Sequence, residues 1–176
     1  LRVIAPSQAT NGNPINVLVR AEDTWGNPSS KYTGTVDLIV NDKFLAQHTF
    51  ATAEKGLHWF DQVVLDTSGN HQIIARDSKD EMQARSNTVA CSDKQSELSL
   101  YWGDLHGQTG ETCGTGSMQE YFLYGRDASG LDFISHQAND FELTNKDWVG
   151  LQRHTKQFHD PGRFVTFLGY EWSGNT

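Results

Sequence analysis

From Pro14 to Glu22 the apolar residues fall at positions 15, 17, 19 and 21 with more polar side chains between them, the two-residue period of a strand buried on one face. Comparable runs cover Thr35–Val40, Lys43–Phe50, Leu57–Leu65, Asn70–Arg76 and Ser86–Cys91. Between them lie Trp25-Gly26-Asn27-Pro28, Asn41-Asp42, Glu54-Lys55-Gly56 and Ser68-Gly69-Asn70. These clusters favour turns, because Gly and Asn tolerate positive φ and Pro fixes it. No helical period intervenes, and the pattern predicts an antiparallel β-sandwich over residues 1–91.

Residues 92–97 are polar and aperiodic, as a linker is. After them the period changes. Leu98–His106 reads as a strand, and Ser117–Ala128 as a helix with Met118, Tyr121, Phe122 and Gly125 at i, i+3, i+4 and i+7. Ser117 and Glu120 have capping-box spacing at its start, and Gly130 closes it. Leu131–His136 is a second strand. A second helix begins at Thr144-Asn145, carries Trp148, Leu151, Thr155 and Phe158 on one side, and stops at Pro161-Gly162. Arg163–Trp172 is a third strand whose run Phe164–Leu168 suits burial on both faces of a parallel sheet. The order over residues 98–176 is β-α-β-α-β.

Right-handed crossovers make such strands parallel, so their carboxyl ends share one rim, where sites of these folds lie. The strands end in Gly103-Asp104-Leu105-His106-Gly107-Gln108, in Ser135-His136, and in Gly169-Tyr170-Glu171-Trp172. Strand alternation puts Asp104 and His106 on one face, joined by Gln108 if the chain stays extended. His106, His136 and Glu171 converging from neighbouring strands would suit a divalent metal such as Zn, Mn or Fe with open positions for water. The plainer alternative is that each His is a hydrogen-bonded group at a strand end.

Composition narrows the function classes. Lys and Arg number 14 against 22 Asp and Glu, a net charge of −8 that disfavours a nucleic-acid backbone as partner. The longest nearly apolar stretch, Phe164–Tyr170, is far short of a membrane span. No Met or leader-like series opens the chain, so Leu1 is expected to be a cut end. Cys91 and Cys113 allow one disulfide at most; their place in different predicted domains favours two separate thiols over a bridge. His48, His58 and His71 read as surface or satisfied strand residues. His154 and His159 fit a solvated face or a cation near a helix C-terminus. Gly107, Gly110, Gly114 and Gly116 lack the spacing of a phosphate loop. Tyr121, Phe122 and Tyr124 are expected to pack the helix.

Two resemblances add to this. Asp23-Thr24-Trp25-Gly26-Asn27-Pro28 at a strand end is similar to the immunoglobulin-like modules of bacterial surface and secreted proteins, which implies a secreted or periplasmic setting. Tyr101–Gly107, Leu131–His136 and Gly162–Ser173 together resemble the start of a protein of the DUF3604 family, related to the PHP (polymerase and histidinol phosphatase) metal-dependent hydrolases. That resemblance implies a distorted (β/α)7 barrel with two or three metals at its strand ends, serving phosphoester hydrolysis. The family's His-x-His falls on His106 and Gln108, so its second His is missing. Its next ligand is matched by Glu111, His136 is kept without the preceding acid, and Glu171 matches a carboxylate that often bridges two metals. Asp104 is expected to orient His106. Asp140, after Asn139, is a candidate to contact substrate, with an Asx turn as the alternative.

A barrel needs more βα units than these, so the chain is expected to be a piece of a longer protein, the rest supplied in cis or by another chain. An open sheet edge and an uncovered apolar face are expected with it. The rival reading is an extracytoplasmic binding or adhesion module with a degenerate barrel, which Gln108 favours. A structural spacer explains the sandwich but not the polar strand ends.

Overall fold

The structure is a computed structural model that describes residues 1–79 and 82–174. The described residues are mostly β-sheet with few helices. The chain divides into two compact units, Leu1–Leu100 and Tyr101–Thr176.

In the first unit, β1 (Arg2–Ile4), β3 (Pro14–Arg20) and β6 (Leu57–Val64) form one antiparallel sheet in the order β1-β3-β6. A second antiparallel sheet has the order β5-β4-β8-β9, from β4 (Thr35–Val40), β5 (Lys43–Thr49), β8 (Ile74–Asp77) and β9 (Gln83–Arg85). Val17 and Val19 of β3 and Phe60 and Val63 of β6 join Val36 and Leu38 of β4 and Ala75 of β8 in one buried cluster. In β4 these are the inward positions of the two-residue period, whereas in β3 Leu18 and Arg20 are buried as well, so the expected one-faced burial fails there. A register shift between β3 and β6 sets Phe60 and Val63 three residues apart.

Two further departures from the sequence expectation have local causes. The sheets are not wholly antiparallel: β10 (Val89–Ser92) runs parallel to β2 (Gln8–Thr10) while pairing antiparallel with β7 (Gly69–His71). The run Asn70–Arg76 is not one strand but two, β7 and β8, in different sheets. The break falls where Ile73 N–H donates to the Ser86 hydroxyl at 2.9 Å and not to a ladder partner. The Asp23–Pro28 segment is a turn in which Asp23 Oδ1 accepts from the backbone N–H of Trp25 and Asn27, both at 2.9 Å.

The second unit is a β-α-β-α-β series. β11 (Gly103–Gly107), β12 (Phe133–Asn139) and β13 (Val165–Glu171) lie in that order and all run parallel. The strand expected from Leu98 begins only at Gly103; the segment before it is held instead by a Trp102 N–H donated to Asp132 Oδ2 at 2.7 Å. The first predicted helix is α1 (Met118–Leu123) continued by a π-helical stretch, Tyr124–Ala128. The second is α2 (Asn145–Phe158). Each starts in a capping box, Ser117 with Glu120 and Thr144 with Asp147.

Met118, Phe122, Leu151 and Phe158 of the helices pack with Ile134 of β12 and with Phe164. The helices thus cover one sheet face. The expectation that β13 is buried on both faces fails: Phe167 is 48% and Leu168 45% exposed. Its apolar run signalled a parallel strand correctly but says nothing of what covers the far side. There Tyr101, Leu105, Phe133, Val165 and Phe167 line an open recess of about 480 Å³.

Candidate functional site

Because β11, β12 and β13 are parallel, their carboxyl ends do form one rim. β12, however, runs three residues past its predicted end, and its ladder to β13 closes at Asn139 opposite Glu171. The rim residue of β12 is therefore Asn139. His136 sits within the strand, opposite Leu168. Gln137 and Asn139 interrupt the apolar pattern but not the backbone pairing.

At the rim, Glu171 is the focus. His106 Nε2 lies 3.6 Å from Glu171 Oε2, and the amide nitrogens Gln108 Nε2 and Asn139 Nδ2 each donate to that same oxygen at 3.2 Å. Gln108 Oε1 accepts from the Thr112 hydroxyl at 2.6 Å, so the Gln108 amide is held at both ends. The Cys113 thiol approaches Asn139 Oδ1 at 3.7 Å. Asp140 follows β12, its backbone N–H donating to the Glu171 carbonyl at 3.0 Å. Neither cysteine is bridged: Cys91 is a buried thiol and Cys113 an exposed one.

Asp104 does not meet the imidazole of His106 as expected. Its Oδ1 accepts the backbone N–H of His106 at 2.8 Å. The ladder between β11 and β12 slips between Asp104 and Gly107, which breaks the strict alternation on which a shared face depended. Asp104 still fixes His106, but through the main chain.

His136 belongs to a different group, on the side of the sheet that faces α1. It is fully buried and stands edge-on to Tyr121 with ring centroids 5.7 Å apart. Its Nε2 meets the Thr109 hydroxyl at 2.8 Å. That hydroxyl gives its one proton to Glu111 Oε2, so His136 Nε2 must carry the proton it shares with Thr109. His136 Nδ1 is then a buried lone pair, without a hydrogen-bond partner. Burial lowers the His136 pKa, opposed by the Glu111 charge. Burial, with the Asp104 charge, raises that of Tyr121. Glu111 is thus engaged with Thr109, not with the rim.

The expected trio is accordingly split. His106 and Glu171 come together, while His136 is held behind the sheet. The rim donor set matches a divalent ion at two positions, His106 and Glu171. The amides beside them present N–H groups to Glu171 rather than oxygens to an ion, so these residues alone do not complete a metal centre.

Among the described residues, one group of three His, Cys, Asp or Glu side chains has ligand atoms all within 4.8 Å of one another, namely His48, Glu54 and His58 of the first unit. Sequence reasoning treated these two histidines singly. The available signal was the pattern of a His on each strand flanking a short acid-bearing turn. His71 is satisfied as expected, by Thr67 O at 2.8 Å and Asn41 at 3.2 Å. His159 is exposed, as expected, and its Nδ1 also accepts the Thr166 N–H at 3.3 Å.

No protein-family model matches the chain. It is 21% identical to uncharacterised proteins of Chlamydia pneumoniae over 179 residues and of Chlamydia muridarum and Chlamydia trachomatis over 177. Those alignments take in 98–99% of this chain but 28–29% of the relatives, so the chain spans under a third of their length. Among solved structures it is similar to a carbohydrate acetylesterase from Xanthomonas citri, at 10% identity and a TM-score of 0.33 over 96% of this chain and 39% of that one. It is also similar to PhoD, at 9% identity and a TM-score of 0.36 over 95% and 38%. No helix among the described residues is long and apolar enough to cross a membrane.

Proposed function

We propose that the second unit is the first β-α-β-α-β part of a PHP-like (β/α)7 barrel of the DUF3604 type, that the first unit is an immunoglobulin-like sandwich, and that the whole protein is a secreted or periplasmic metal-dependent hydrolase of phosphoesters. The observation that carries this reading is the approach of His106 Nε2 to Glu171 Oε2 at 3.6 Å, from two strands separated by β12, at the carboxyl rim of a parallel sheet.

In this reading His106 and Glu171 hold a divalent ion together with donors from the remainder of the barrel. Such an ion supplies Lewis acidity, which activates water and polarises an ester oxygen. The chain's other residues position these two. Gln108 and Asn139 fix Glu171 by one oxygen, Oε2, which leaves Oε1 for an ion. Asp104 anchors the His106 backbone. Asp140 stands beside the same rim, where its carboxylate can accept a proton or hydrogen bond from substrate.

A second reading rests on the same two amides. Donation by Gln108 and Asn139 quiets the Glu171 charge without a metal, as in a degenerate barrel serving a binding or adhesion module. Metal analysis of the full-length protein separates the two. With His106→Ala or Glu171→Gln, hydrolysis of bis(p-nitrophenyl) phosphate is expected to fall at least tenfold and bound metal to fall by the share held at the rim. Full metal occupancy in both variants removes the hydrolase reading and leaves the binding module.

A further inference from the structure

The first unit carries a second convergence of ligand-type side chains, independent of the rim. His48 is near the end of β5 and His58 near the start of β6. Glu54 ends the 3-10 turn Thr52–Glu54 between them. β5 and β6 belong to different sheets, so this connection carries the chain from one sheet to the other, and the three side chains meet at the crossing.

Glu54 Oε1 lies 2.9 Å from His48 Nε2 and 3.0 Å from His58 Nδ1, and Glu54 Oε2 lies 3.0 Å from His48 Nε2. The Ala51 N–H donates to Oε2 at 2.6 Å, which fixes the carboxylate's rotation and leaves Oε1 shared by both rings. The rings themselves stack, 3.3 Å between centroids and 4° from parallel. Phe50 stands edge-on to His48 at 5.4 Å and Phe60 to His58 at 4.7 Å. Each of the three side chains keeps about a quarter of its surface in solvent. The cluster is held from behind and open in front.

We infer that His48, Glu54 and His58 bind one divalent cation of the zinc class, with water completing its coordination. Two imidazoles and one carboxylate are the donors of three-ligand zinc sites, whereas calcium and magnesium favour oxygen alone. Around a tetrahedral ion with bonds of about 2.0–2.2 Å, neighbouring donors stand roughly 3.3 Å apart. The two Glu54–His contacts, at 2.9 and 3.0 Å, therefore open by only a few tenths of an ångström. The stacked rings, now 4° from parallel, turn by on the order of tens of degrees so that both lone pairs aim at one point.

Protons balance simply. Each neutral ring moves the proton that now faces Glu54 to its other nitrogen, so that His48 Nε2 and His58 Nδ1 offer lone pairs to the ion and both rings stay neutral. No redox step is involved. A cation bound here clips the two sheets together at their crossover and stabilises the folded state by linkage.

The test uses the 176-residue chain and Zn²⁺ alone. In an NMR titration, the ring resonances of His48 and His58 are expected to shift until one equivalent is bound, and the melting temperature to rise and return on chelation. His48→Gln and His58→Gln, which spare the cap made by Glu54, are expected to lose that equivalent; His106→Ala is expected to keep it. The inference is overturned if Zn²⁺ leaves both ring resonances of the unmutated chain in place, a readout that needs no variant to fold. It is equally overturned if both Gln variants fold and bind Zn²⁺ as the parent does. A hydrogen-bonded buttress without a metal is the reading either outcome would leave.

Discussion

Glu22 shows how one acid can tie down two cations. Its Oε1 accepts from Arg2 Nε at 2.6 Å and from Arg20 Nε at 2.7 Å, and Arg20 is itself buried. Burial pushes the Glu22 carboxyl up, but the bonds and charges of the two guanidiniums outweigh it, and the net pKa lies below its ordinary 4.5. A folded-state pKa below the unfolded one means that the ionised group contributes its stability in full above about pH 4.5. The contribution is lost as pH falls from there through the lowered folded value. Glu22→Gln removes the charge from the bonds that both guanidiniums make to it and is expected to cost about 1–3 kcal/mol at pH 7 in urea unfolding. It is also expected to flatten the acid limb of stability below pH 4.5; a limb as steep as the parent's would contradict the assignment. At the rim, Gln108→His removes one amide donor from Glu171 and restores the His-x-His spacing. On the hydrolase reading, Zn²⁺ affinity at His106 and Glu171 then rises roughly tenfold or more in a chelator competition, given the usual weight of a metal's neighbours. No rise favours the binding module.

At the scale of elements, Gly107 decides how closely α1 can approach the sheet. A Cβ there would lie 1.9 Å from the Tyr121 hydroxyl, which donates to the Ser135 carbonyl at 3.0 Å. Gly107→Ala is therefore expected to displace Tyr121 from Ser135 and to cost about 1–3 kcal/mol, the range for overpacking. In a Tyr121→Ala background, which lacks the hydroxyl and the ring carbons 2.1 and 2.2 Å from that Cβ, the Gly107→Ala cost in equilibrium unfolding should shrink; an unchanged cost would mean the strain lies elsewhere. Element order was legible in the sequence because it rests on local periods and caps. The alternation in β4, the capping boxes at Ser117 and Thr144, and the order of strands and helices after Gly103 all appear at short range. What escaped depends on partners distant in sequence. β12 continues to Asn139 because β13 pairs with it there, and nothing within Gln137-Ala138-Asn139 announces this. The slip between Asp104 and Gly107 similarly changed what Asp104 touches. His48, Glu54 and His58 meet because one turn joins two sheets.

At the scale of the whole molecule, the unfinished side of the second unit bears most directly on the barrel reading. Parallel sheets are ordinarily covered on both faces. Here the helices cover one, and Phe133 and Phe167 meet on the other, 6.1 Å between centroids, beside the open recess. Among the described strands β13 is bonded only to β12, so its outer edge presents backbone groups with no ladder partner. A barrel supplies both missing parts at once: a further strand along that edge and more side chains against Phe167. Hydrogen exchange tests this on proteins that differ only in length. In the 176-residue chain, the β13 amides that point away from β12 should exchange at least about tenfold faster than those bonded to it. In a protein as long as the chlamydial relatives, the barrel reading requires the two sets to become similarly protected, because the outer amides gain a partner. If they stay fast at full length, β13 is a true sheet edge. The His106–Glu171 pair then belongs to an open platform that other chains could approach, and the binding module becomes the better account of the rim.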